Sequence, residues 1–143
     1  MARLYLALGS NLGDRERNLC TALEKLDAVF GPRVAVSPLM NTASCGFSGP
    51  DFLNGIVVYE SRRRALTILG ICKLIETEMG RRDVPEYDSR GDRVYHDRII
   101  DIDILKYGNL HIQTQELNIP HPQMESRPYI KELLLHLQVV ENI

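Results

Sequence analysis

The sequence predicts an α+β fold in which helices cover one face of an antiparallel sheet, and three observations carry that expectation. Short apolar runs, the mark of buried strands, alternate with two segments of helical periodicity in the order strand, helix, strand, strand, helix, strand. Each helical segment stops at a glycine, Gly31 before Pro32 and then Gly80. No internal repeat and no linker divides the chain, so residues 1–143 read as a single domain.

Taken in order, Leu4 to Leu8 form a short apolar strand that gives way to a turn, Gly9-Ser10-Asn11-Leu12-Gly13-Asp14, rich in helix-starting residues. From Asp14 the apolar positions Leu19, Leu23, Leu26 and Val29 recur at helical spacing. Val34 and Val36 alternate with their neighbours in a short strand running out toward Asn41 and Thr42. Residues Ala43 to Pro50 read as a loop, and Phe52 to Tyr59 as a β-rich run. A second helix is predicted from Arg64 to Met79, with Leu66, Leu69, Cys72, Ile75 and Met79 along one side. Arg81 to Asp97 is polar and highly charged, a loop of the length that usually carries function. Strand character returns from Ile99 to Tyr107, a hairpin follows around Leu110 to Ile119, and a last helix spans Pro128 to Leu137. This βαββαβ order is the ferredoxin-like arrangement.

Composition narrows the function. The chain has 143 residues, and 17 Lys and Arg against 19 Asp and Glu leave a net charge of −2. That balance lacks the electrostatic footprint of a nucleic-acid binder and is compatible with a local basic site. Cys20, Cys45 and Cys72 are an odd set with no close pair, which reads as reduced thiols rather than a disulfide framework or a zinc site. The apolar run at the N-terminus is too short for a signal peptide or a membrane span. A soluble, cytoplasmic protein without a membrane or nucleic-acid partner is expected.

The most informative run is Arg98-Ile99-Ile100-Asp101-Ile102-Asp103-Ile104-Leu105. Alternate residues of a strand share a face, so Ile100, Ile102 and Ile104 point one way and Asp101 and Asp103 the other. Two carboxylates so placed repel each other, and a strand centre suits Asp poorly. A hard divalent cation relieves the repulsion, and Mg²⁺ typically takes one or two carboxylates plus phosphate oxygens. The plainer alternative is a strand with one wet face. The bare motif also suits a metal-dependent phosphohydrolase.

Arg81, Arg82, Arg90, Arg93 and Arg98 lie in or beside the long loop. Their planar forks match phosphate oxygens and could close over a polyphosphate. Interleaved Asp83, Glu86, Asp88, Asp92 and Asp97 allow the opposite reading of a solvated, self-paired loop. The turn from Gly9 to Asp14 lacks the ending of a P-loop and the spacing of a dinucleotide fingerprint, so it reads as a helix cap. Pro120 and Pro122 hold His121 between them, as a structural histidine or as a phosphate contact.

Five pieces then occur in sequence: Leu8 to Asp14, Phe52-Leu53-Asn54, Glu76 to Arg81, Asp97 to Leu105, and Ile119-Pro120-His121-Pro122 with Arg127. Together they resemble the 6-hydroxymethyl-7,8-dihydropterin pyrophosphokinase family of folate biosynthesis, over nearly the whole chain from about Leu4 to Tyr129. The resemblance implies a ferredoxin-like fold and transfer of the pyrophosphoryl group of ATP to the pterin hydroxymethyl oxygen, releasing AMP. It implies that Asp101 and Asp103 bind two Mg²⁺ ions and that Arg81 and Arg98 act on the phosphates. Glu76, Arg82, Ile104, His121 and Arg127 are then expected on the ATP side. Thr42, Gly46, Phe52, Asn54, Tyr95 and Tyr129 are expected on the pterin side, with Tyr95 standing where a tryptophan is common. ATP and the pterin are the implied partners, and the implied state is a monomer. A ferredoxin-like binding module is the rival of another class, but it has no need of two aspartates crowded beside Arg98.

Overall fold

A computed structural model describes residues 1–43, 50–80, 86–87, 89–91, 93–94, 98–124 and 126–141. Its elements run β1 (Ala2–Ser10), α1 (Arg15–Phe30), β2 (Ala35–Val36), β3 (Met40–Thr42), β4 (Phe52–Ser61), α2 (Ala65–Glu78), β5 (Glu86–Tyr87), β6 (Arg93–Val94), β7 (Asp101–Tyr107), β8 (Ile112–Gln113), β9 (Asn118–Ile119) and α3 (Pro128–Glu141). The fold is α+β, with three helices about an antiparallel sheet of order β2-β4-β1-β7, β3 also pairing with β4. The expected hairpin after β7 is present as β8 and β9. The long charged segment carries a short antiparallel ribbon, β5 with β6, which periodicity did not disclose. Among the described residues no helix is long and apolar enough to cross a membrane.

Local chemistry sets the helix ends. The Asp14 carboxylate accepts the Arg17 N–H at 3.1 Å, satisfying one donor that the first turn of α1 leaves open, and Glu16 complements the positive end of the helix. Gly31, at φ +89°, ends α1 while its N–H returns to the Asp27 carbonyl. α1 buries Leu19, Ala22, Leu23 and Leu26, each leucine contributing ~2 kcal/mol. The expected Val29 instead faces solvent, and Phe30, one turn on from Leu26, packs against the core.

The apolar face of α2 also differs from the expectation. Ala65, Ile68, Cys72, Ile75 and Glu76 are buried, Leu69 and Met79 are partly covered, and Leu66 is exposed. Each residue turns the helix by about 100°, so a stripe through Ala65, Ile68 and Cys72 carries the adjacent Leu66 off the sheet.

The two helices of the predicted core share one face, and the last helix does not join them. α1 and α2 pack with Leu4, Leu6, Leu8, Val57, Tyr59 and Ile102 in one core. α3 lies on the opposite face, where Ile130, Leu133 and Leu137 meet Ala7, Ala35, Ile56, Val58 and Leu105. β4 is buried from Leu53 through Tyr59, so both of its faces need cover. α3 supplies the second cover.

Asp27 anchors the far end of α1. Its carboxylate accepts Arg33 Nη2 at 2.6 Å, Arg33 Nε at 3.3 Å and the Tyr59 hydroxyl at 2.6 Å. The Arg33 hydrogen bonds, against a burial penalty, and the Tyr59 hydrogen bond hold its pKa below the usual carboxylate value. This contribution to stability is complete above the unfolded-state pKa of roughly 3.9 and is lost as pH falls through the lower folded-state value. Asp27→Asn is expected to cost about 1–2 kcal/mol at pH 7, read from the urea midpoint. The difference from wild type should shrink toward pH 3, and an equal difference at both pH values would contradict the assignment.

Candidate active site

Register gives the site its frame. Gly9 on β1 pairs with Asn54 on β4 and with Asp101 on β7, and Asn54 pairs in turn with Met40 on β3. Residues paired directly across antiparallel strands share a face, so Met40, Asn54, Gly9 and Asp101 form one row across the sheet. Asp103 lies one row on, opposite Ala7, and both aspartates point away from Ile100, Ile102 and Ile104 in the first core. The sequence alternation is realised, and the aspartates share their face with α3.

Each carboxylate has a guanidinium beside it. Arg98 Nη1 lies 3.5 Å from Asp101 Oδ1, and Arg127 Nη1 lies 3.9 Å from Asp103 Oδ2. All four side chains are about one quarter exposed, so they are open to a ligand yet shielded from full solvent screening. Arg98, Asp101 and Asp103 border a cleft of about 270 Å³, lined also by Glu76, His121, Lys73 and Glu116. Among the described residues no group of three His, Cys, Asp or Glu could hold a metal. A metal here would rest on two carboxylates, the sparse hard-oxygen set that Mg²⁺ completes with water and phosphate oxygens. The donor set fits that ion.

Other expected ATP-side residues surround the same cleft. Glu76 is 3 % exposed, and its Oε2 accepts the Ile102 N–H at 2.8 Å, tying α2 to the edge strand β7. Ile104 is buried in the first core and also borders the cleft. His121 is fastened by its own N–H to the Leu105 carbonyl at 2.8 Å and by its carbonyl to the Met124 N–H at 3.1 Å. The Gln123 N–H donates to His121 Nδ1 at 3.1 Å, which leaves the hydrogen of the neutral ring on Nε2. Burial and then the Arg127 charge lower the His121 pKa, with Asp101 opposing them, so the ring is a neutral donor at pH 7. Beneath β7, burial and the charges of Glu76 and Asp103 push the Cys72 thiol up to about 12. Among the described residues Cys20 and Cys72 are free, and Cys45 lies outside them.

The other end of the row gathers expected pterin-side residues. Asn54 Nδ2 donates to Thr42 Oγ1 at 2.6 Å and to the Met40 carbonyl at 3.4 Å. Those bonds commit the amide nitrogen and turn Oδ1 over Gly9: a Cβ on Gly9 would meet Oδ1 at 3.1 Å and the Phe52 ring at 3.4 Å. Phe52, two residues before Asn54, shares its face. Tyr129 packs against the core on that face, and its hydroxyl accepts Arg127 Nη1 at 3.1 Å. Arg81, Arg82, Gly46 and Tyr95 lie outside the described residues.

Two residues of this frame escaped the sequence reading. Gly9 and Asn11 belong to a segment whose composition reads as a turn and a helix cap. Gly9 lies inside a strand, where only the missing side chain lets Asn54 and Phe52 lean over it. A lone glycine ending an apolar strand was the available signal. Asn11 is 1 % exposed and joins three segments of chain.

Comparison with known proteins bears on this geometry. Residues 5–139 match the family model described as 7,8-dihydro-6-hydroxymethylpterin-pyrophosphokinase. A 2-amino-4-hydroxy-6-hydroxymethyldihydropteridine pyrophosphokinase of Porphyromonas gingivalis is 44% identical over 133 residues, covering 92% of this chain and 87% of the relative. The enzyme of that name from Aquifex aeolicus is 33% identical over 139 residues, 96% of this chain and 81% of the relative. The folic acid synthesis protein fol1 of Schizosaccharomyces pombe is 36% identical over 135 residues, 93% of this chain but 17% of that longer protein.

Proposed function

Because the chain belongs to the 7,8-dihydro-6-hydroxymethylpterin-pyrophosphokinase family, we propose that the cleft bordered by Asp101, Asp103, Arg98 and His121 is where its ATP-dependent pyrophosphoryl transfer takes place. The reaction is that of folate synthesis: the pterin hydroxymethyl oxygen attacks the β-phosphorus of ATP. The bond from that phosphorus to the α–β bridging oxygen breaks, AMP leaves, and the hydroxyl proton is released. The observation that carries the assignment is the row across the sheet. It sets a polar edge reader, Asn54, and Asp101 on one face with only Gly9 between them, and Asp103 follows one row on upon the same face.

The two ends of the row suit the two substrates. A pterin edge alternates donors and acceptors, and Asn54 Oδ1 offers an acceptor fixed by the Thr42 and Met40 bonds. Phe52 and Tyr129 supply aromatic surface for the flat ring. At the other end Arg98 and Arg127 set positive charge where negative charge would shift toward the leaving AMP, and His121 Nε2 offers a neutral donor. Mg²⁺ held by Asp101 and Asp103 would supply charge neutralisation and polarise phosphate oxygens. Two such ions are proposed, since each would need water and phosphate oxygens to complete what two carboxylates offer. Arg81, Arg82, Gly46 and Tyr95 complete the proposal as residues adjoining the same substrates. The strand order, with β1 and β4 central, supports a ferredoxin-like core carrying one added helix, α3. A single-domain, cytoplasmic monomer is the matching proposal for the protein as a whole.

The deciding experiment is nucleotide product analysis with ATP, Mg²⁺ and 6-hydroxymethyl-7,8-dihydropterin, with each component omitted in turn. AMP is expected only when the pterin is present. ADP, or phosphate released without the pterin, would identify a different reaction and return the phosphohydrolase reading.

A further inference from the structure

We infer that Asn11 is a positioning residue for Arg98, setting the place of its guanidinium at the phosphate side of the cleft. The inference rests on the role given to Arg98 above. Asn11 follows the last residue of β1 and makes two reciprocal bonds to Arg98: Oδ1 accepts the Arg98 N–H at 2.6 Å, and the Asn11 N–H donates to the Arg98 carbonyl at 3.0 Å. Its Nδ2 donates to the Pro50 carbonyl at 3.3 Å, two residues before β4 begins. One buried amide thus fastens the chain entering β7 and the chain entering β4 to the end of the strand between them.

Burial gives these bonds their directional force. At 1 % exposure the Asn11 amide cannot exchange its partners for water without leaving polar groups unsatisfied. The neighbouring turn is held too: Asn18 Nδ2 donates to Ser10 Oγ at 3.2 Å and to the Leu12 carbonyl at 2.8 Å. Asn11 is therefore set on a rigid base. Arg98 stands three residues before Asp101, and its reach of 3.5 Å to that carboxylate depends on where its backbone is pinned. A backbone shift of ~1 Å at such a position can cost about 10²-fold in rate. Asn11 acts on the reaction through Arg98 and touches no substrate itself.

The test is a double-mutant cycle of Asn11→Ala with Arg98→Ala, preceded by the wild-type assay. Wild-type protein that forms no pterin-dependent AMP removes the underlying reaction, and the proposal with it. With that activity present, Asn11→Ala is expected to lower kcat by about 10²-fold while both KM values stay within about threefold. In the Arg98→Ala background the same change should alter kcat by no more than about twofold. Equal losses in the two backgrounds, or a change confined to KM, would overturn the inference. Asn11→Ser carries the same cycle if Asn11→Ala does not fold. Failure of both to fold would assign Asn11 to stability alone and overturn it as well. Amide exchange of the wild-type protein gives an independent readout. The Arg98 N–H should be strongly protected, and exchange at the rate of a free peptide would sink the idea without any variant.

Discussion

Asp101→Asn and Asp103→Asn should each lower kcat by about 10³-fold and leave the melting temperature within a few degrees of wild type. Asparagine keeps the shape of the side chain and removes its charge, so the strand should be preserved. Ile102 and Ile104 remain in the core, and Glu76 still receives the Ile102 N–H. The lost ion pairs with Arg98 and Arg127 are partly exposed and at 3.5 and 3.9 Å, worth about 1 kcal/mol or less to stability. The catalytic loss is larger because the triphosphate brings several negative charges to a face that then has fewer ligands for the neutralising cation. Rates measured across a Mg²⁺ titration give the check. Wild-type turnover at saturating Mg²⁺ would refute the metal assignment, and a collapse of the melting temperature would move these residues into the structural class.

Arg98→Ala is expected to reduce the chemical step by about 10²–10³-fold, with a smaller effect on ATP binding. The guanidinium borders the cleft beside Asp101, so its charge is available where negative charge shifts from the attacked phosphoryl group toward the leaving AMP. Single-turnover rates at saturating ATP isolate that step, and a non-hydrolysable ATP analogue gives the binding constant. A change in the analogue's dissociation constant alone would show that Arg98 binds ATP equally before and during transfer. Arg98→Lys should recover only part of the loss, because a point charge does not reproduce the planar fork.

The carboxylate pair was legible in the sequence because a strand has a period of two: once Ile100, Ile102 and Ile104 are assigned to a core, Asp101 and Asp103 must emerge together. The ends of α1 were legible for an equally local reason, since Asp14 caps through its own side chain and Gly31 adopts a backbone conformation other residues resist. The face of α2 was harder. Leu66 and Leu69 look as apolar as Ile68, and only the direction of the sheet decides which stripe is buried. Glu76 is the sharper case, for a charged residue on a helix reads as exposed until the edge N–H of Ile102 is brought against it.

The α+β class, the order of the main elements and the paired-carboxylate pattern were legible in the sequence, and family resemblance supplied the reaction. These depend on periodicity, helix ends and short motifs, which neighbouring residues carry among themselves. Folding alone revealed that α3 covers the second face, that Gly9 opens the gap between Asn54 and Asp101, and that Asn11 ties together segments 39 and 87 residues away. Those features arise where strands distant in sequence meet in one register. The energy of a buried hydrogen bond depends on which partner is brought to it, and that choice belongs to the folded chain.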